Sequence, residues 1–175
     1  MLAIGPVINT PSELYDPSTG TWSPTGSTGT TMPNAITSRL PSGEVFATGS
    51  FASGAASDST AALYDPSTGQ FTLESGPCSC RGFNGGLLQT GEVLVAGGFI
   101  TVRHKPHNIT ETINSAELWD RTTQAWTSTG NLNTSRGAES MTILQNGQAL
   151  AAGGETFDKH TAQLVVTATA ELFTP

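Results

Sequence analysis

The segment ELYDPSTGTW at Glu13–Trp22 decides the fold, because it recurs along the chain. It returns as ALYDPSTGQF at Ala62–Phe71 and as ELWDRTTQAW at Glu117–Trp126, and a fourth copy begins as ELFTP at Glu171–Pro175. Its third position holds aromatic residues spaced 49, 55 and 54 positions apart: Tyr15, Tyr64, Trp119 and Phe173. A repeat of this length predicts an array of similar units, each packed against its neighbours.

A second repeated element lies between the copies of the first. It reads LPSGEVFATGS at Leu40–Ser50, LQTGEVLVAGG at Leu88–Gly98 and LQNGQALAAGG at Leu144–Gly154, and the opening Met1–Pro6 matches its last part. Each copy has a turn glycine followed by an apolar run that ends in a glycine pair, replaced by Gly-Ser in the first copy. A turn glycine between two apolar runs is typical of a β-hairpin.

Together the two elements predict four short strands in each unit. Strand one precedes the glycine turn, strand two runs into the glycine pair, and strand three ends at the aromatic anchor. The Asp-Pro-Ser-Thr-Gly turn, as in Asp16–Gly20, then leads to strand four, which carries Trp22, Phe71 or Trp126. Since no segment has a helical period of useful length, the fold class predicted is all-β.

The composition excludes several classes of protein. Charged residues are 12% of the chain, the net charge is −7 and Lys plus Arg number 7, which disfavours a nucleic-acid or anionic-membrane partner. The longest apolar runs have four residues, whereas a membrane span needs about 20. Few lysines and abundant Ser and Thr favour an extracellular or cell-surface location, although the N-terminus lacks the basic region of a signal peptide. Cys78 and Cys80 are too few for a disulfide scaffold or a cysteine zinc site.

A glycine pair, then Tyr-Asp-Pro-x-Thr, then a Trp six residues after the Asp, resembles the kelch repeat. The best copies are formed by Gly97, Gly98, Trp119, Asp120 and Trp126, and by Tyr15, Asp16, Pro17, Thr19 and Trp22. The resemblance covers essentially the whole chain and departs from the pattern where Ser50 replaces a glycine and Phe71 replaces a tryptophan. The quinoprotein type of propeller repeat is ranked second, because that repeat lacks the glycine pair found here and places its Trp farther beyond the turn glycine.

The resemblance implies a kelch-type β-propeller segment of about three and a half four-stranded blades, in the galactose oxidase central-domain-like superfamily. Within the single segment 1–175, residues 1–34 would form a partial blade with strands two to four, 35–76 and 77–130 full blades, and 131–175 a partial blade with strands one to three. Closed propellers have about four to eight blades. Two interpretations therefore stay open, in which the further blades come from a longer parent chain or from a second copy that completes the ring.

The repeated residues are expected to be structural. The aromatic anchors would pack between adjacent blades, and the glycines would supply positive φ angles or close backbone approach where the blade turns. The anchors predicted on this basis are Tyr15, Trp22, Gly49, Tyr64, Phe71, Gly97, Gly98, Trp119, Trp126, Gly153 and Gly154.

A ligand is expected on the face formed by the loops after strands two and four. These loops vary in length, as in Ala52–Ser59, Thr101–Asn114 and Thr156–Thr167, and variable loops on a rigid scaffold often carry binding. The candidate binding residues are Asp58, Arg81, Arg103, His104, His107, Asn108, Arg136, Asp158 and His160. Kelch propellers that bind peptides use arginines on this face to contact acidic partners, a role that the resemblance extends to Arg81 and Arg136. Each of these arginines is alternatively a structural donor to blade carbonyl groups.

The function implied is non-catalytic recognition of a protein or a carbohydrate, with no cofactor, no metal and no catalytic residue predicted. The alternative is the propeller portion of a galactose-oxidase-like copper radical oxidase whose catalytic residues lie mostly outside this chain. His104, His107 and His160 share the loop face and are imidazoles of the kind that bind copper. Both tyrosines, however, occupy repeat anchors, so the tyrosine ligand that such an oxidase needs is missing from the pattern.

Overall fold

The structure, a computed structural model, describes residues 1–4, 10–32, 34–50, 59–77, 83–103 and 108–175. Within these residues the chain forms eighteen β-strands and no helix, which confirms the predicted all-β class. The strands are β1 (Leu2–Ala3), β2 (Glu13–Asp16), β3 (Thr21–Pro24), β4 (Ile36–Arg39), β5 (Val45–Ser50), β6 (Ser59–Asp65), β7 (Gln70–Ser75), β8 (Asn84–Leu87), β9 (Val93–Ala96), β10 (Phe99–Arg103), β11 (Asn108–Thr112), β12 (Ala116–Asp120), β13 (Ala125–Ser128), β14 (Ser140–Ile143), β15 (Ala149–Ala152), β16 (Glu155–Asp158), β17 (Gln163–Val166) and β18 (Ala170–Phe173). No helix in the described ranges has the length and hydropathy that a membrane span requires.

Four antiparallel sheets follow the repeat. The first sheet is β1–β2–β3, the second is β4–β5–β6–β7, the third is β8–β9–β12–β13 and the fourth is β14–β15–β18. In this order the four sheets have three, four, four and three strands. In every sheet, paired strands either follow each other along the chain or are separated only by an inserted hairpin. Each unit is therefore built from contacts between segments that are close in sequence.

Two further hairpins differ from the sequence expectation, which placed loops in these segments. The strands β10 and β11 pair from Phe99↔Thr112 to Arg103↔Asn108, and β16 and β17 pair from Glu155↔Val166 to Asp158↔Gln163. Both insertions contain β-branched residues on facing positions, such as Val102 opposite Ile109, and such pairs stabilise a two-stranded ribbon.

One type of turn closes four of the hairpins. In each, an aspartate Oδ1 accepts a hydrogen bond from the backbone N–H two residues later, at 2.6 to 2.8 Å: Asp16, Asp65, Asp120 and Asp158. The residue four positions after the aspartate has a φ angle between 53° and 71°: Gly20, Gly69, Gln124 and Ala162. The Asp-Pro-Ser-Thr-Gly motif predicts the first two, whereas the last two adopt this geometry without a glycine.

The core lies in the seams where neighbouring sheets pack face to face. In the second seam, between the second and third sheets, Phe46 and Leu63 pack against Val93 and Trp119. In the third seam, between the third and fourth sheets, the third sheet's Leu94 packs against alanines of the fourth sheet and the half-buried Phe173. Because directly opposed residues share one face of a sheet, the second and third sheets each present the aromatic anchor to the preceding sheet and an apolar pair to the next.

In the second and third units, the aromatic anchors contact the preceding sheet. Trp119 is 0% exposed and stacks on Phe46 with ring centroids 4.0 Å apart. The Trp126 Nε1–H donates to the Ser75 carbonyl oxygen of the second sheet at 2.8 Å. Tyr64 is buried, and its hydroxyl lies 2.9 Å from the Thr25 hydroxyl.

The first unit differs, because its anchors lie at an outer face. Tyr15 and Trp22 face each other across β2 and β3 with ring centroids 5.1 Å apart. Trp22 is 44% exposed, whereas Phe71, at the equivalent position, packs against the apolar cluster of the first seam, between the first and second sheets.

Candidate binding face

Glycine pairs direct the two inserted hairpins out of their sheets. Gly97 and Gly98 separate β9 from β10 with φ angles of 66° and 111°, and Gly153 and Gly154 separate β15 from β16 with 67° and 87°. A Cβ atom at Gly97 would lie 2.5 Å from the Arg136 carbonyl oxygen, so close backbone approach also requires a glycine there. In the second unit the expected turn is absent, because Gly49 lies within β5 opposite Thr60 and the strand continues.

The two hairpins lie side by side, and hydroxyl groups join them. The Phe157 N–H of β16 donates to the Thr112 Oγ1 of β11 at 2.9 Å. The Ser135 hydroxyl lies 3.0 Å from the Thr112 hydroxyl and 3.4 Å from the Thr156 hydroxyl. Since Thr112 is buried, these contacts fix the relative position of β11 and β16.

The segment that enters the fourth sheet also holds the hairpin bases. Gly137 exchanges both backbone hydrogen bonds with Glu155, at 3.0 and 2.9 Å. A Cβ atom at Gly137 would lie 2.6 Å from the Phe99 ring, so that ring covers this backbone. We call the surface formed by β10–β11 and β16–β17 the hairpin face.

Four of the predicted binding residues lie on the hairpin face. Arg103 and Asn108 are exposed and paired in register at the outer end of β10–β11. Asp158 and His160 lie at the outer end of β16–β17, where the Asp158 carboxylate accepts from the His160 N–H and from the Thr161 hydroxyl. These hydrogen bonds lower the pKa of Asp158, so this carboxylate stays ionised and holds the turn.

Arg136 is placed differently from the other predicted binding residues. The residue is 0% exposed, and its Nη1 donates to the carbonyl oxygens of Gly153 and Thr169 at 2.8 and 3.0 Å. Its Nη2 donates to Glu171 Oε1 at 2.8 Å and to the Thr169 hydroxyl at 3.0 Å. These contacts are those of a structural donor to backbone carbonyl groups, the alternative role that the sequence analysis gave for Arg136. Ligand binding by Arg136 stays a prediction.

The remaining predicted binding residues, Asp58, Arg81, His104 and His107, lie outside the described residues, as do Cys78 and Cys80. Among the residues that the structure describes, no three His, Cys, Asp or Glu side chains come together as a metal-binding group. A histidine copper site therefore stays part of the alternative function only.

The hairpin face has exposed apolar groups at the base of β16–β17 and polar groups at the outer ends of both hairpins. Val166 is 84% exposed and Val165 is 40% exposed at the end of β17. Arg103, Lys159 and His160 supply donors at the outer ends of the hairpins. Such a surface can combine a small apolar contact with hydrogen bonds, which is the usual chemistry of a recognition site.

Sequence reasoning missed a buried carboxyl group beneath this face. Glu139 is 2% exposed, and neither carboxyl oxygen has a hydrogen-bond partner. Burial raises the pKa of Glu139 to about 7, while the Arg136 charge acts in the opposite direction. The only sequence signal is that a glutamate directly precedes strand one, where the second and third units have Ala35 and Phe83.

Comparison with known proteins does not assign the chain to a family. No protein-family model matches the sequence, and no curated protein matches it significantly.

Proposed function

We propose that this chain is a kelch-type β-propeller segment that recognises a macromolecular ligand, a protein or a glycan, through its hairpin face, without catalysis. The propeller assignment is supported by four antiparallel sheets in repeated order and by the aromatic anchors in the seams between them. A propeller is built from four-stranded antiparallel units that stack through their apolar faces.

The observation that carries the binding function is the position of the two hairpins. They interrupt two otherwise regular units at the same place, after strand two, and differ in length and sequence. They are joined to each other through Thr112 and Phe157, so they form one continuous surface. Sequence-variable elements fixed on a regular scaffold are the usual carriers of recognition.

The chemistry of the hairpin face favours a protein ligand over a glycan. Val166, which is 84% exposed, offers an aliphatic contact at the base of β16–β17, and Arg103 offers a planar donor for a carboxylate at the outer end of β10–β11. A peptide strand with an acidic side chain would satisfy both groups. A glycan stays the second outcome of the same experiment.

The test is a ligand selection on the immobilised chain with two probes, a phage-displayed peptide library and an array of defined glycans. We expect binders whose affinity falls at least tenfold with Arg103→Ala or Val166→Asp. The matched control is Leu73→Asp on β7, a leucine that is 58% exposed and lies away from the hairpin face.

Two results of this selection would overturn the proposal. Binders that tolerate both hairpin variants but are lost when the Asp65–Gly69 turn is altered would place recognition on the opposite side. The absence of binders from both probes would count equally against it. Far-ultraviolet circular dichroism of each variant excludes unfolding as the cause.

A further inference from the structure

One short segment of the fourth unit makes backbone hydrogen bonds to the bases of both inserted hairpins. The Arg136 N–H donates to the carbonyl oxygen of Ile113, which directly follows β11, at 3.0 Å. The Arg136 carbonyl oxygen accepts from the N–H of Gly98, which directly precedes β10, at 2.7 Å. The next residue along the chain exchanges two backbone hydrogen bonds with Glu155, the first residue of β16. We call residues 136–139 the clamp segment, because its backbone connects the two hairpins.

The clamp segment ends in a carboxyl group that is enclosed between the third and fourth units. Glu139 is 2% exposed, and a Cβ atom at Gly97 would lie 2.7 Å from its Oε1. The Asn84 Nδ2 of β8 donates to the Glu139 carbonyl oxygen at 2.7 Å. Among the described residues, neither carboxyl oxygen of Glu139 has a hydrogen-bond partner. Because Gly97 and Asn84 belong to the third unit, this enclosure is made by two units that the chain itself contains.

One guanidinium group would serve two carboxylates if Glu139 were ionised. Arg136 Nη2 already pairs with Glu171 of β18 at 2.8 Å, and its Nη1 donates to two carbonyl oxygens. The Arg136 charge favours the ionised form of Glu139, but burial outweighs it and raises the pKa of Glu139 to about 7. Glu155 of β16 is a further acidic residue and contacts the clamp segment through its backbone. An ionised Glu139 therefore places an uncompensated charge between the two units, which costs free energy unless water reaches it.

We propose that the clamp segment is a pH-sensitive device, which holds the bases of both hairpins while Glu139 is neutral and opens more readily once Glu139 is ionised. Opening lets water reach the carboxylate and leaves the second seam intact. The backbone favours a local opening, because Ala138 has a φ angle of 53°, an uncommon conformation for a residue other than glycine. The inference concerns the geometry of the hairpins and does not depend on the function proposed for the hairpin face.

The direction of the pH effect follows from the proton on Glu139. The closed clamp holds this proton more tightly than the open one, in which the carboxyl group meets water and has its ordinary pKa of 4.5. The stability that the proton gives to the closed clamp is present below pH 4.5 and is lost as pH rises through 7. Between pH 6 and pH 8, the equilibrium between closed and open clamp therefore shifts about tenfold toward the open form.

The experiment is native-state hydrogen exchange of the 175-residue chain, followed by nuclear magnetic resonance at pH 6 and pH 8 in low concentrations of urea. The reporters are the backbone amides of Gly98, Arg136, Gly137 and Glu155, which donate at the hairpin bases. After correction for intrinsic exchange rates, we expect their protection to fall about tenfold between the two pH values. These amides should exchange through an opening with a weak urea dependence, whereas the amides of β5 and β6 should require a larger unfolding with a steep one.

Two variants and one titration assign the effect to Glu139. Glu139→Gln keeps the size of the side chain and removes its charge, so the clamp amides should be equally protected at both pH values. Glu92→Gln is the matched control, because Glu92 lies at the opposite end of β9 from Gly97, and it should retain the tenfold fall. The carboxyl carbon resonance of Glu139 in the wild type gives the midpoint of ionisation without a variant, and the loss of protection should follow that midpoint.

Three results would overturn the proposal. Clamp amides that exchange only together with β5 and β6 would show that the segment has no opening of its own. Equal protection of the wild type at both pH values would show that ionised Glu139 finds a partner in the closed clamp, such as the Arg136 Nε, which is unpartnered among the described residues. A fall that persists in Glu139→Gln would assign the effect to another group. Since no ligand is used, these results are independent of the ligand selection on the hairpin face.

Discussion

The second and third seams join equivalent sheets by different means. The second is closed by aromatic stacking, with Trp119 on Phe46 at 4.0 Å. The third has the half-buried Phe173 as its anchor and contains a cavity of about 40 Å³ lined by Leu94, Leu132 and Phe173. Arg136 and Glu139 are buried next to Gly97 of the third unit. The same repeat can therefore close a seam with stacked aromatic rings, or with smaller aliphatic side chains and buried polar groups beside them.

The buried ion pair between Arg136 and Glu171 occupies positions that hold apolar residues in the second unit. Arg136 lies four residues before strand one of the fourth sheet, and Met32 lies four residues before strand one of the second sheet. The residues that contact Arg136 and Met32 are equivalent as well, since Glu171 and Ala62 both occupy the first position of the repeated segment. Met32 and Ala62 pack together in an apolar cluster, whereas Arg136 and Glu171 form an ion pair at 2.8 Å.

The largest effect is expected from the aromatic anchors. Trp119→Ala should lower the free energy of unfolding by about 4 kcal/mol, because it deletes a fully buried ring and leaves a cavity. Phe173→Ala should cost about half as much, since Phe173 is only partly buried. Urea unfolding of both variants measures the difference between the seams. Equal losses would contradict the assignment of the second seam as the better packed one.

The next effect concerns the buried ion pair. Arg136→Met removes one partner and should cost about 3 kcal/mol, because buried polar groups lose their donor. The double variant Arg136→Met with Glu171→Ala restores the residues that the second unit uses and should recover at least half of that loss. Urea unfolding of both single variants and the double variant completes a mutant cycle. A double variant less stable than either single variant would show that the third seam requires the ion pair.

A smaller effect, which depends on pH, is expected at Glu139. Its pKa is raised from 4.5 to about 7 by burial, so the folded state holds this proton more tightly than the unfolded state. The stability contributed by the protonated form is present below pH 4.5 and is lost as pH rises through 7. Glu139→Gln removes this loss and should be more stable than wild type at pH 8, by about 2 kcal/mol, but not at pH 4.5.

Urea unfolding at the two pH values measures this difference. Arg136 is the charged group whose field acts on Glu139, so Glu139→Gln in the Arg136→Met background tests whether the loss grows when that field is removed. A variant whose advantage is the same at both pH values would show that Glu139 does not titrate in this range.

The repeat predicted more of the fold than of the binding face. The strand counts, the Asp65–Gly69 turn and the burial of Trp119 follow from local patterns that recur, so the sequence contains several copies of the same information. The hairpins β10–β11 and β16–β17 occur once each and have no repeat to reveal them. The burial of Arg136 depends on the distant Glu171 and Thr169, which spacing along the chain does not show.

The smallest effect is expected at an ion pair that crosses the second seam at its surface. Arg121 donates to both carboxylate oxygens of Glu44, at 2.9 and 3.0 Å, and this contact lowers the pKa of Glu44. The Arg121 side chain is 40% exposed, so solvent screens the pair and Arg121→Ala should cost only about 0.5 kcal/mol. A double-mutant cycle with Glu44→Ala, in low and high salt, measures the coupling. Because Trp119 already closes this seam, a coupling as large as that of Arg136 with Glu171 would mean that surface charge, and not aromatic packing, distinguishes the two seams.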